Sequence, residues 1–109
     1  MAKNTKATTV TIPNGGTTTP TIPMDPNKIP LAIELPAAMT GTSFSFRASS
    51  LSGGSPVPLY FESTLYSVTV AASRFVSLNR NAFEGVKFLQ IVSNASELAA
   101  RDVQLVTGE

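Results

Sequence analysis

The chain has 109 residues, a formal net charge of +1, and no cysteine, histidine or tryptophan. That length bounds one domain. The missing residue types exclude thiol nucleophiles, cysteine zinc sites and iron–sulfur clusters, and remove the commonest general base. The charge balance lacks the basic excess of a nucleic-acid binder.

Residues 1–30 differ from the rest. They hold five of the eight prolines, many threonines and few large side chains. Their charges are Lys3, Lys6 and Lys28 against Asp25. The start MAKNTKATTV is basic but has no apolar run behind it, so it does not read as a signal peptide. Residues 1–8 read as polar and flexible. Val10 to Ile12 suit a short strand, stopped by Pro13 and the turn-prone Asn14-Gly15-Gly16. A triplet then recurs as Thr11-Ile12-Pro13, Thr21-Ile22-Pro23 and, in altered form, Lys28-Ile29-Pro30. Each proline fixes its own φ and biases the residue before it toward extended backbone. The expectation is an extended N-terminal arm over residues 1–30. Val10, Ile12, Pro13, Ile22, Pro23, Met24, Ile29 and Pro30 would be its partner-binding residues. In extended or polyproline form, 28 residues reach at most about 85–100 Å. A Pro/Thr tail without docking residues is the competing reading.

Residues 31–109 read as strands. Leu31, Ile33 and Leu35 alternate with Ala32 and Glu34. Phe44, Phe46 and Ala48 alternate with Ser43, Ser45 and Arg47. Leu51 to Pro56 is a loop by composition, and Val57 to Glu62 is a short run. Tyr66, Val68 and Val70 alternate, and Arg74 to Leu78 follow. Residues 79–85 suit a turn or a single helical turn. Val86 to Ser93 form a strand with Leu89 and Ile91 inward; 94–100 is a loop, and Arg101 to Val106 close the body. About seven short strands at this spacing predict an all-β, antiparallel sandwich, jelly-roll or immunoglobulin-like.

No nucleotide-binding, zinc-protease, nucleophile-elbow or EF-hand motif is present. A serine nucleophile would lack histidine. Lys87 is the one lysine of the body, and it gives no convincing Ser–Lys dyad. Glu34, Glu62, Glu84, Glu97 and Asp102 have no spacing that selects an acid/base pair, so they read as solvated carboxylates. Asn94-Ala95-Ser96 matches a glycosylation acceptor, which reads as a chance match because the start does not read as a signal peptide. Tyr60, Phe61 and Tyr66 lie close in sequence, so a carbohydrate- or receptor-binding module is one alternative. Only 14% of residues are charged. That suits a surface packed against neighbours, or one made polar by serine and threonine.

The segments Thr40 to Ser50, Pro58 to Tyr60, Val68 to Arg74, Leu78 to Ser93 and Ala99 to Val106 together resemble a small β-sandwich module. It is found among head decoration (cement) and accessory virion proteins of tailed bacteriophages. The resemblance covers residues 31–107. It implies a non-enzymatic structural protein on the capsid exterior, made in the host cytoplasm. Its partner would be the major capsid protein lattice. It would be a homo-oligomer, with a trimer favoured, and would bind neither nucleic acid nor membrane. No metal or other cofactor is expected. The arm would bridge neighbouring subunits; a tail, neck or baseplate accessory protein is the alternative within the virion.

Overall fold

A computed structural model describes residues 5–51 and 53–109. Their strands form two facing antiparallel sheets. Sheet I runs in the order β1 (Thr5–Ile12), β11 (Arg101–Gly108), β3 (Ile29–Glu34), β9 (Phe75–Ser77). Sheet II runs β2 (Ile22–Pro23), β10 (Phe88–Ser93), β4 (Ser43–Ser49), with β5 (Val57–Pro58) and β8 (Ser67–Thr69) both pairing with β4. A separate hairpin joins β6 (Tyr60–Phe61) to β7 (Thr64–Leu65).

Taking β1, β2, β3, β4, β8, β9, β10 and β11 as eight successive strands, the sheets read 1-8-3-6 and 2-7-4-5. This is the order of a double Greek-key jelly roll, which decides between the two sandwich types the sequence leaves open. The connections 13–21, 35–42, 70–74 and 94–100 cross between the sheets and meet at one end. Backbone bonds record the meeting: Leu35 N–H donates to Arg74 O at 2.8 Å, and Gly15 N–H to Glu97 O at 2.7 Å.

The alternation that predicts strands also selects the core. In sheet I, Ile12, Ile33, Val103 and Leu105 are fully buried; sheet II supplies Phe44, Phe46, Leu89 and Ile91. Each large side chain removed from water stabilises by about 1.5–3 kcal/mol, before chain entropy is charged against it. Phe46 meets Phe83 edge-on at 5.2 Å between ring centroids, and Tyr66 meets Phe83 at 5.5 Å. Phe83 comes from a single 3₁₀ turn, Arg80–Phe83, inside the turn predicted over 79–85. Asn79 caps that turn by accepting from Asn81 N–H, and Tyr66 Oη accepts from Asn79 N–H at 2.9 Å.

The expected separation of an arm over 1–30 from a body over 31–109 is corrected for the described residues. Residues 5–12 pair along their whole length with β11, from Thr5 opposite Gly108 to Ile12 opposite Arg101. After Pro13 the chain turns at Gly15, whose φ of 78° suits glycine, and crosses to sheet II. There it runs along β10: Ser93 N–H donates to Thr17 O at 2.7 Å, Thr19 N–H to Ile91 O at 3.0 Å, and Met24 N–H to Lys87 O at 2.9 Å. The radius of gyration, 13.1 Å, matches the ~13 Å of a compact chain this long. Residues 1–4, part of the stretch read as flexible, lie outside the described residues.

The physical reason is the face the segment carries. Val10 and Ile12 turn inward while Thr9 and Thr11 turn out, so β11 gains an apolar neighbour that no free arm would cover. The prolines serve the edges. Pro13 ends β1, Pro23 lies on the short edge strand β2, and Pro30 falls beside a bulge in the β3–β11 ladder between Val106 and Thr107. These are positions where a missing N–H is tolerated.

Candidate functional site

Of the eight residues expected to bind a partner, four are buried in their own protein. Ile12 is fully buried, Val10 and Ile22 are buried beside it, and Pro30 is buried opposite Thr107. Met24 and Ile29 are half-buried against the core. Pro13 and Pro23 are exposed. The fold brings Val10, Ile12 and Ile22 together, as part of the core. Met24 and Ile29 help line an open groove of about 620 Å³ at the end away from the crossing loops. Asp25, Arg80, Glu84 and Lys87 also border it, so it carries both signs of charge.

One carboxylate organises the loop end. Glu97 is fully buried. Its carboxylate accepts from Thr40 N–H at 2.9 Å, Gly41 N–H at 2.8 Å, Ser93 Oγ–H at 3.2 Å and Arg101 Nε–H at 2.9 Å. Its own N–H donates to Gly16 O at 3.0 Å. Three crossing loops are thereby tied together at one residue, the 35–42 loop through its side chain and the 13–21 loop through its backbone. Gly41 is required there, because a Cβ would collide with Ser93 Oγ. Burial alone would raise the Glu97 pKa; the hydrogen bonds from Thr40, Arg101, Gly41 and Ser93 outweigh it and hold the pKa below the ordinary carboxylate value. A carboxylate so fully hydrogen-bonded is an anchor for loops and not an available base. The sequence reading placed it among solvated carboxylates, and Glu97-x-x-x-Arg101 was the signal available for a different answer.

Among the described residues no cluster of acidic side chains is arranged to hold a metal ion, and no buried side-chain polar atom lacks a hydrogen bond. No helix among the described residues is long and apolar enough to cross a membrane.

Among the described residues, large apolar side chains turned outward are Phe75 on β9, Leu98 in the 94–100 connection, and a group in the excursion between β4 and β8. The excursion carries Leu51, Val57, Tyr60 and Leu65, which are 70%, 60%, 61% and 42% exposed. Tyr60 and Leu65 form a cross-strand pair in the β6–β7 hairpin, while Phe61 turns back toward Tyr66, with ring centroids 6.3 Å apart. The two-residue tip is Glu62-Ser63, with φ of 52° and 68°. A tight hairpin of this kind favours Asn-Gly, so both residues sit where an L side chain is strained.

Of the aromatic trio considered for sugar stacking, Tyr60 is exposed, Phe61 half-buried and Tyr66 half-buried. They do not form one open platform.

The fold defines the chain as a small jelly-roll module. No family model, curated protein or solved structure matches it.

Proposed function

We propose that this chain is a non-enzymatic structural protein of a tailed-phage virion that decorates the head and cements it by binding the major capsid protein. It acts as clustered copies, with three-fold grouping favoured, on the particle exterior after synthesis in the host cytoplasm. The carrying observation is the exposed apolar excursion: Leu51, Val57, Tyr60 and Leu65 fall within one stretch between β4 and β8, while Phe75 and Leu98 are exposed singly elsewhere. The jelly-roll strand order adds support, because this architecture recurs in viral capsid domains, although a fold alone does not assign a function.

With residues 5–24 engaged in the sandwich, attachment is assigned to the excursion in place of a free arm. The hairpin presents a rigid aromatic anchor at small entropic cost, and many copies on a lattice add avidity. A tail, neck or baseplate location is the variant within the same reading. Copy number separates them: hundreds per particle mark the head, about a dozen or fewer the tail.

The test is co-sedimentation with particles assembled without this protein. Wild type should pellet with the heads, and Tyr60→Ala combined with Leu65→Ser should remain in the supernatant while keeping the wild-type fold by circular dichroism. Equal pelleting of the two would remove the excursion as the contact.

A second reading, a carbohydrate- or receptor-binding module, is favoured by one observation: Tyr60 is 61% exposed and free to stack on a ring. A glycan array separates the readings. Binding that depends on Tyr60 supports the second, and a blank array removes it.

A further inference from the structure

Sheet I has one long open edge. β1 runs eight residues, pairs only with β11, and ends the sheet on that side. In an antiparallel strand every second residue turns its N–H and C=O away from the paired neighbour, so the far side of β1 offers unpaired groups. Natural proteins usually blunt such an edge with prolines, bulges, short strands or charge. β1 has none of the first three. Its register with β11 is continuous, and it contains no proline. Its one charge, Lys6, is ion-paired to Asp25 at 3.1 Å. The remaining residues are threonine, alanine, valine and isoleucine, mostly β-branched and suited to pairing.

The other edges of the molecule are blunted. β9 has three residues. β2 has two, with Pro20 just before it and Pro23 inside it. β5 and β8 have two and three. Among the described residues, the one edge in a second copy that matches eight residues is β1 itself.

We propose that two copies of this chain associate through antiparallel pairing of β1 with β1, centred on Thr9, joining two four-stranded sheets into one of eight strands. A two-fold axis through the sheet keeps each face on its own side, so the residues that meet must share a face. Centring on Thr9 satisfies this. On the outer face Thr9 meets Thr9 of the second copy, and Ala7 meets Thr11. On the inner face Thr8 meets Val10. Lys6 falls opposite Ile12, so no like charges oppose one another. Thr–Thr and β-branched cross-strand pairs are favourable neighbours. An open groove of about 350 Å³, bordered by Thr8–Thr11 and Pro20–Pro23, runs beside the edge. The contact goes beyond the capsid-binding proposal and needs no particle. It is compatible with three-fold clusters, which it would link two by two.

The test uses purified full-length protein in solution. Sedimentation equilibrium should show the mass rising with concentration from the 11.4 kDa monomer toward twice that value. Thr9→Lys, an exposed position, should keep the circular dichroism spectrum and stay monomeric at every concentration, because two ammonium groups would then face each other. The natural chain lacks cysteine, so a single Thr9→Cys substitution reports the register directly. Under mild oxidation it should form a disulfide-linked dimer, and Ser77→Cys on the opposite edge should not. A wild-type chain that stays monomeric throughout overturns the proposal. So does a dimer that survives Thr9→Lys, or one that cross-links through Ser77→Cys and not through Thr9→Cys. Failure here leaves particle binding untouched, since that is read by co-sedimentation of Tyr60 and Leu65 variants.

Discussion

Tyr60 and Leu65 stand directly opposite one another in the β6–β7 ladder, and both side chains are turned to solvent. The neighbouring pair, Phe61 and Thr64, closes the hairpin at the Glu62-Ser63 tip. The hairpin therefore has one ring directed to the core, through the Phe61–Tyr66 contact, and one apolar pair directed away from it. Removing the outward pair should leave stability almost unchanged. Tyr60→Ala with Leu65→Ser is expected to shift the denaturation free energy by about 0.5 kcal/mol or less, as at other surface sites. Urea melts of the two proteins check this and license the double variant as a binding probe.

The tip itself stores strain. Glu62 and Ser63 occupy the left-handed region at φ of 52° and 68°, where a non-glycine residue is disfavoured. Glu62→Asn with Ser63→Gly should relieve it and stabilise the protein by about 1 kcal/mol. A gain of that size raises the melting temperature by about 4–8 °C in a domain this small. Differential scanning calorimetry reads the shift directly. An unchanged or lowered melting temperature would mean that the tip carries no relievable strain.

Glu97 makes the loop end acid-labile. Its folded pKa lies below the ordinary carboxylate value, so the folded state binds this proton more weakly than the unfolded chain does. The stabilisation is therefore fully present above the unfolded pKa and is lost as pH falls through the folded one. A melting series should be flat on this account near neutrality and decline on the acid side of the normal carboxylate range. Glu97→Gln should abolish that part of the decline. It should also cost about 3 kcal/mol at neutral pH, because Arg101 and the loop N–H donors lose their shared acceptor.

The N-terminal segment is a structural member. Ile12→Ala should destabilise by about 2–5 kcal/mol, as a buried aliphatic truncation does. Deleting residues 1–28 removes β1 and β2 together, exposing β11 and β10 along one edge of each sheet. The expected outcome is loss of the cooperative unfolding transition. A truncated protein that still melts cooperatively would show instead that the segment is separable from the sandwich.

The β class was legible because alternation exposes it. Leu89 and Ile91 face inward as their spacing requires, and so do Phe44 and Phe46. The N-terminal segment misled for a definite reason. Three isolated isoleucines before prolines look unsupported when only their own stretch is considered. Their support, β11 and β10, lies some ninety and seventy residues away, as Ile12 opposite Arg101 and Ile22 opposite Leu89. Long-range pairing of this kind leaves no local trace in composition. Glu97 was hidden similarly, since its donors at Thr40 and Gly41 arrive from a distant loop. The exposed pair at Tyr60 and Leu65 was partly visible as an aromatic cluster. Which ring turned outward depended on the register of a two-residue hairpin, and Glu-Ser is a poor signal for that turn.

The most direct test of capsid attachment is the fraction of protein that co-sediments with particles lacking it, measured for wild type and for the Tyr60→Ala, Leu65→Ser double variant at matched concentrations. The account predicts saturable binding of wild type at hundreds of copies per particle and loss of most of that binding in the variant. Wild-type protein that stays in the supernatant at every concentration would contradict it.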